Sequence, residues 1–138
     1  MTRSHSKKVI LLAPEVFPSQ LVNGYANVRH VSAINHLFPA IFELNPDLLI
    51  IDHDFIGQKD AEKILRRISS NKFYNHIRVQ CFMARRNTKT EDLLKVLGVD
   101  HFVFREELLK DQKAHGVLNT VNAIIDNSMA KLATSVSN

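Results

Sequence analysis

The sequence predicts an α/β fold, a doubly wound parallel sheet with helices on both faces, and three observations predict it. Short continuous apolar runs recur along the chain, as strands buried on both faces require. Segments whose apolar residues have helical spacing lie between those runs. The 138 residues, 45% hydrophobic and 23% charged, suffice for one buried core and contain no low-complexity tract. A single domain over 1–138 is expected, with its core at about 7–132 and a polar tail at 133–138.

Five strands are expected in order. The first is Val9-Ile10-Leu11-Leu12, and a weaker second runs from Asn27 to Val31. Leu48-Leu49-Ile50-Ile51 is the strongest, launched by Asn45-Pro46-Asp47, whose proline stops the preceding helix. Val79 to Met83 and His101 to Phe104 complete the set. Among the helices, Ala61, Ile64, Leu65 and Ile68 repeat at i, i+3, i+4, i+7. Thr88-Lys89-Thr90-Glu91 has the form of a capping box, and Gly98 stands where that helix would end. Val117, Leu118, Val121, Ile124, Ile125 and Leu132 give the last helix a long apolar stripe. Phe17 to Gly24 is expected as a short or irregular first helix, bounded by Pro18 and Gly24. Pro39 lies within the second helical segment, which is expected to kink or to begin late. The layout is (βα)5, a flavodoxin-like three-layer sandwich with strand order 2-1-3-4-5.

Composition excludes several classes. The net charge of +4 is mild, and the basic pairs Arg66-Arg67 and Arg85-Arg86 have no interleaved aromatics, so no nucleic-acid partner is expected. Val9 to Ala13 is too short for a signal or membrane segment, which points to a soluble cytoplasmic protein without a membrane role. The one cysteine, Cys81, lies in an apolar run and is expected as a buried thiol. The seven histidines have no ligand-type spacing. Neighbouring side chains of an extended Asp52-His53-Asp54 would point to opposite faces, which argues against a transition-metal site. The loop Pro14-Glu15-Val16-Phe17-Pro18 lacks the glycines and hydroxyls of a phosphate cradle, so a flavin or nucleotide is not expected.

In such sheets functional groups gather at the carboxyl ends of the strands. There the sequence resembles the receiver domain of two-component response regulators. Asn45-Pro46-Asp47-Leu48-Leu49-Ile50-Ile51-Asp52 resembles that family's NPDLVLLD segment, which ends in the phosphoacceptor aspartate, and Gly57 follows at the family's glycine position. Ile64-Leu65-Arg66-Arg67-Ile68 with Asn75-His76-Ile77-Arg78-Val79, and Gly98-Val99-Asp100-His101-Phe102-Val103, resemble two further segments in the right order. The likeness covers about Asn45 to Arg105. It implies a bacterial signalling module, and it makes Asp52 the phosphoacceptor-equivalent.

Other positions depart from the family. Its acidic pair falls on Ala13 and Pro14, with Glu15 one residue away; its hydroxyl residue falls on Met83 and its lysine on Arg105. Phosphoryl transfer to a carboxylate needs Mg²⁺ to neutralise the gathered negative charge. Without the acidic pair, Asp52 is left as the main anionic ligand. The resemblance therefore implies a degenerate receiver, or pseudo-receiver, with no cofactor and no catalytic residue, in which an Asp52–Arg105 ion pair stands in for the charged state. The alternative is a phosphoaccepting receiver with a rebuilt Mg²⁺ site made by Glu15, Asp52 and Asp54, against the plainer readings of Asp54 as a loop cap and Glu15 as a solvated side chain. Family members signal through helix 4, strand 5 and helix 5, which here implies a surface including Glu91, Lys95, Phe102 at the aromatic switch position, and Phe104. A histidine kinase, an output protein or a second copy would be the partner.

Overall fold

The computed structural model describes residues 7–18 and 22–108. Five strands form one sheet: β1 (Lys8–Leu12), β2 (Asn27–Val31), β3 (Leu48–Asp52), β4 (Arg78–Met83) and β5 (His101–Phe104). All neighbours are parallel, in the order β2-β1-β3-β4-β5. The fold is therefore the doubly wound, flavodoxin-like α/β sheet expected from the alternation of apolar runs. β1, in the interior, is nearly all buried, whereas the edge strand β2 buries only Val31, which is why its sequence signal is weak.

Helices α1 (Leu37–Leu44), α2 (His53–Ile56), α3 (Gln58–Ser70) and α4 (Thr88–Val96) connect the strands, with a 3₁₀ turn at Ile34–His36 leading into α1. Pro39 sits in the first turn of α1, where an amide hydrogen has no partner within the helix, so the helix begins late and tolerates the ring. Asn45 closes α1 in the left-handed conformation, at φ 52°. The predicted face of α3, Ala61, Ile64, Leu65 and Ile68, is the one that it buries.

Side chains alternate across the sheet into two cores. The larger holds Ile10, Leu12, Leu49, Ile51, Val79, Cys81, Met83 and Phe104 against α1, α3 and α4. The smaller holds Val9, Leu11, Ala13, Ile50 and Phe82 on the opposite face, covered by Phe17 and partly by Val22, Tyr25 and Leu108. Phe17 meets Phe82 edge-on at 5.0 Å.

Three expectations need correction. The described parts of the Phe17 to Gly24 segment are irregular chain at Phe17 and Pro18 and a turn at 22–24, and the aromatic anchor Phe17 covers the sheet where a helix was expected. The cap of α4 is Asn87, one residue before Thr88: its side chain accepts from the Thr90 amide at 3.1 Å, and Glu91 accepts from the Asn87 amide at 2.7 Å. Phe104 is buried in the larger core, so it is not an exposed interface residue. Residues 105–108 are helical. The stripe from Val117 to Leu132 and the tail at 133–138 lie outside the described residues.

Candidate functional site

The carboxyl edge of the sheet is organised by the end of β3. Asp52 is the last residue of that strand and the cap of α2; it is only 5% exposed, and its Oδ1 accepts from the Phe55 amide at 3.3 Å. Burial pushes the Asp52 carboxyl above its usual range. The neighbouring Asp54 charge adds to the rise, and the Phe55 amide and the Arg105 charge oppose it. Asp54 is not on an extended segment with Asp52, as its spacing had suggested, because the chain turns into α2 at His53. The Asp54 carboxylate is exposed and crosses to the next strand, where Oδ2 accepts from the Ala84 amide at 2.7 Å. It therefore clasps the β3–α2 junction to the segment following β4.

His53 has a different partner. Its Nε2 lies 2.7 Å from Gln58 Oε1, while Gln58 Nε2 donates to Glu62 at 2.8 Å. Gln58 thus presents its carbonyl oxygen to His53, which places the imidazole hydrogen on Nε2. Nδ1 of His53 is buried without a hydrogen-bond partner among the described residues. His53 Nδ1 lies 4.0 Å from Asp54 Oδ1, so Asp52, His53 and Asp54 stay close while each makes a hydrogen bond of its own. Glycine 57 separates α2 from α3 at φ 87° and ψ 160°, a conformation almost restricted to glycine.

The remaining positions surround this junction unequally. Ala13 is fully buried; its amide donates to Val31 and its carbonyl accepts from His30 Nε2 at 2.9 Å. Pro14 is half-buried and Glu15 is exposed. Met83 is buried in the larger core. Arg105 is exposed, with its guanidinium 5.7 Å from the centre of the Phe82 ring. It influences Asp52 through charge but forms no salt bridge with it, which overturns the expected ion pair. Arg86, on the segment after β4, is paired instead, with Glu91 at 3.0 Å and Glu107 at 3.7 Å, and lies 4.7 Å from the centre of the Phe104 ring. Glu91 is accordingly buried rather than free for contact. Burial pushes its carboxyl up, but hydrogen bonds from Asn87 and Arg86 and the charges of Arg86 and Lys95 outweigh this and hold it below its usual range. Lys95 is exposed, and Phe102 is half-buried with its ring stacked 6.2 Å from Phe104.

No family model and no curated protein sequence matches the chain. Solved structures do. The signal receiver domain of a DNA-binding response regulator from Colwellia psychrerythraea 34H superposes with a TM-score of 0.59 at 16% identity, covering 80% of this chain and 98% of that one. A response regulator from Thermotoga maritima gives 0.59 and 16%, covering 78% and 96%. A LuxR-family two-component response regulator from Aurantimonas sp. SI85-9A1 gives 0.54 and 15%, covering 87% and 96%. The fold is that of a receiver domain.

On this receiver fold, Asp52 ends the third strand as the resemblance implied. A hard divalent cation requires several convergent oxygens. Here Ala13 and Pro14 offer no side-chain oxygen, one Asp52 oxygen caps a helix, and one Asp54 oxygen holds Ala84. Among the described residues no three of His, Cys, Asp and Glu gather to hold a metal ion, so Glu15, Asp52 and Asp54 do not form a rebuilt centre. The residues present do not fit Mg²⁺. Sequence reasoning missed the Asp54–Ala84 clasp, because Ala84 contributes only its backbone and carries no side-chain signal. It also missed the Arg86–Glu91 pair, which depends on a loop bend after β4. No helix among the described residues is long and apolar enough to cross a membrane.

Proposed function

We propose that the chain is a receiver-like signalling module of the two-component type that acts through protein–protein interaction, without aspartyl phosphorylation at Asp52. The observation that carries this reading is the Asp52–Asp54–Ala84 arrangement. The acceptor carboxylate is buried and engaged as a helix cap, burial pushes it above its usual range, and a second carboxylate beside it occupies the Ala84 backbone amide. A phosphodonor is itself an anion, so it would approach two carboxylates with no cation site to offset the repulsion. Apolar side chains at Ala13 and Met83 support the same reading. The module is then a binding unit and not an enzyme, occupying the chain as one domain, with a bacterial cytoplasmic setting as the resemblance implies.

Incubation with acetyl phosphate, or with beryllofluoride, at 10 mM Mg²⁺ tests the proposal by intact mass and amide chemical shifts. No Asp52-dependent mass gain and no shift around residues 52–57 and 83–86 are expected. A gain of one phosphoryl group that disappears in Asp52→Asn would refute it.

A further inference from the structure

α1 and α3 leave between them a surface groove of about 350 Å³, lined by Ile34, Phe38, Pro39, Ile64, Lys63 and Arg67, with Asn35 and Asp60 at its rim. None of these residues belongs to the Asp52–Asp54–Ala84 cluster. The floor is apolar and Ile34 stands partly exposed above it. The cationic wall has a particular construction. Lys63 and Arg67 are four residues apart on α3 and so share one helix face, where like charges repel. Neither has a salt-bridge partner among the described residues. The Arg67 guanidinium carbon lies over the Phe38 ring, 3.9 Å from its centre, and Phe38 in turn packs 5.5 Å from Tyr74. That cation–π contact holds the guanidinium at the groove, with donors left for a carboxylate. Asp60, the one acid at the rim, balances only part of this charge.

An apolar floor beside two like charges on one face is complementary to a ligand with an apolar side chain and adjacent carboxylates. We propose that this groove docks an acidic, apolar segment of a partner protein, with an aromatic or leucine side chain against Ile34, Phe38 and Pro39 and a carboxylate between Lys63 and Arg67. The proposal rests on the interaction role given above and assigns it a surface.

The test is a titration of the full chain, followed by ¹⁵N amide shifts, with a blocked peptide of sequence Glu-Leu-Phe-Asp-Glu. Two controls accompany it: the same peptide with amides in place of its acids, and one with serines in place of Leu and Phe. Saturable shifts confined to residues 34–39 and 60–67 are expected, with each control at least tenfold weaker. K63E and R67E are each expected to weaken binding at least tenfold. Both positions lie on the surface of the groove, and an unchanged melting temperature verifies the fold of each variant. Equal binding of either control, shifts centred elsewhere, or full binding by K63E would overturn the assignment. So would the same shifts produced by a DNA duplex or by anionic phosphatidylserine vesicles. The outcome is separable from the phosphorylation test: a phosphoryl gain at Asp52 with the groove shifts intact removes the proposed function and leaves the docking site, and the reverse result removes only the docking site.

Discussion

Replacing Asp52 separates its two physical roles. Asp52→Asn keeps an oxygen that can accept from the Phe55 amide and removes the charge, whereas Asp52→Ala removes both. Loss of a side-chain cap costs about 1 kcal/mol, so the alanine variant should lie below the asparagine variant by that amount, roughly 4 °C in melting temperature for a domain of this size. The charge has the opposite effect. Burial raises the Asp52 carboxyl above its ordinary value of 3.8 in the folded state. Between the two values the folded chain holds a proton that the unfolded chain has released, so stability falls as pH rises through that window. The deficit is complete above the folded value, and at pH 7 Asp52→Asn should therefore be more stable than the natural protein. Urea unfolding of all three proteins at pH 7, with and without 10 mM Mg²⁺, measures both effects. A cation at hundredfold excess over its Kd would add about 2.7 kcal/mol, and no such gain is expected. An Asp52→Asn protein less stable than the natural one, or Mg²⁺ stabilisation that depends on Asp52, would refute the assignment of this carboxylate as a structural cap.

Glu91 should respond to pH in the opposite sense. Its carboxyl is held below the ordinary value of 4.5, so its contribution is present above that value and is lost as pH falls through the lower folded value; Glu91→Gln should flatten this part of the acid unfolding curve. Burial pushes the Cys81 thiol up to about 12, so iodoacetamide at pH 8 should leave it unmodified until urea unfolds the chain, as read by mass. Gly57→Ala introduces a side chain at φ 87° with no crowding within 4 Å, so its cost is backbone strain of about 1–3 kcal/mol in urea unfolding, and a neutral result would show that the α2–α3 junction can relax.

The interior strands were legible because a parallel sheet buries both of their faces, so their sequence needs no partner to be recognised. Leu49 to Ile51 is apolar without a break and starts where Pro46 forbids a helix. The α3 stripe was equally plain, since its polar and apolar faces differ sharply. The site was less legible. Asp52 could be placed at the end of β3, but the spacing of Asp54 suggested an extended segment, and the four-residue α2 erased that relation. One signal was available there: aspartate is a favoured helix cap, and Gly57 four residues beyond α2's first residue marks a stop. The expected Asp52–Arg105 pair failed for a different reason. Side-chain reach across strand ends depends on loop direction, and Arg105 leaves β5 at the start of a helical segment with Phe82 beneath it.

The strand order also dictates how the chain must assemble. β1 is made first yet lies inside the sheet, between β2, which follows it soon, and β3, which is separated from it by β2 and α1. The pairs β1–β2, β3–β4 and β4–β5 each join consecutive strands, and only the β1–β3 seam closes over an intervening strand. Closing that seam carries the largest loop entropy of the sheet, so it is the step expected to limit the folding rate. During synthesis the apolar flank of β1 stays unpaired until Leu48 to Ile51 has emerged, which makes the Val9 to Leu12 segment the part of the nascent chain most in need of protection from aggregation.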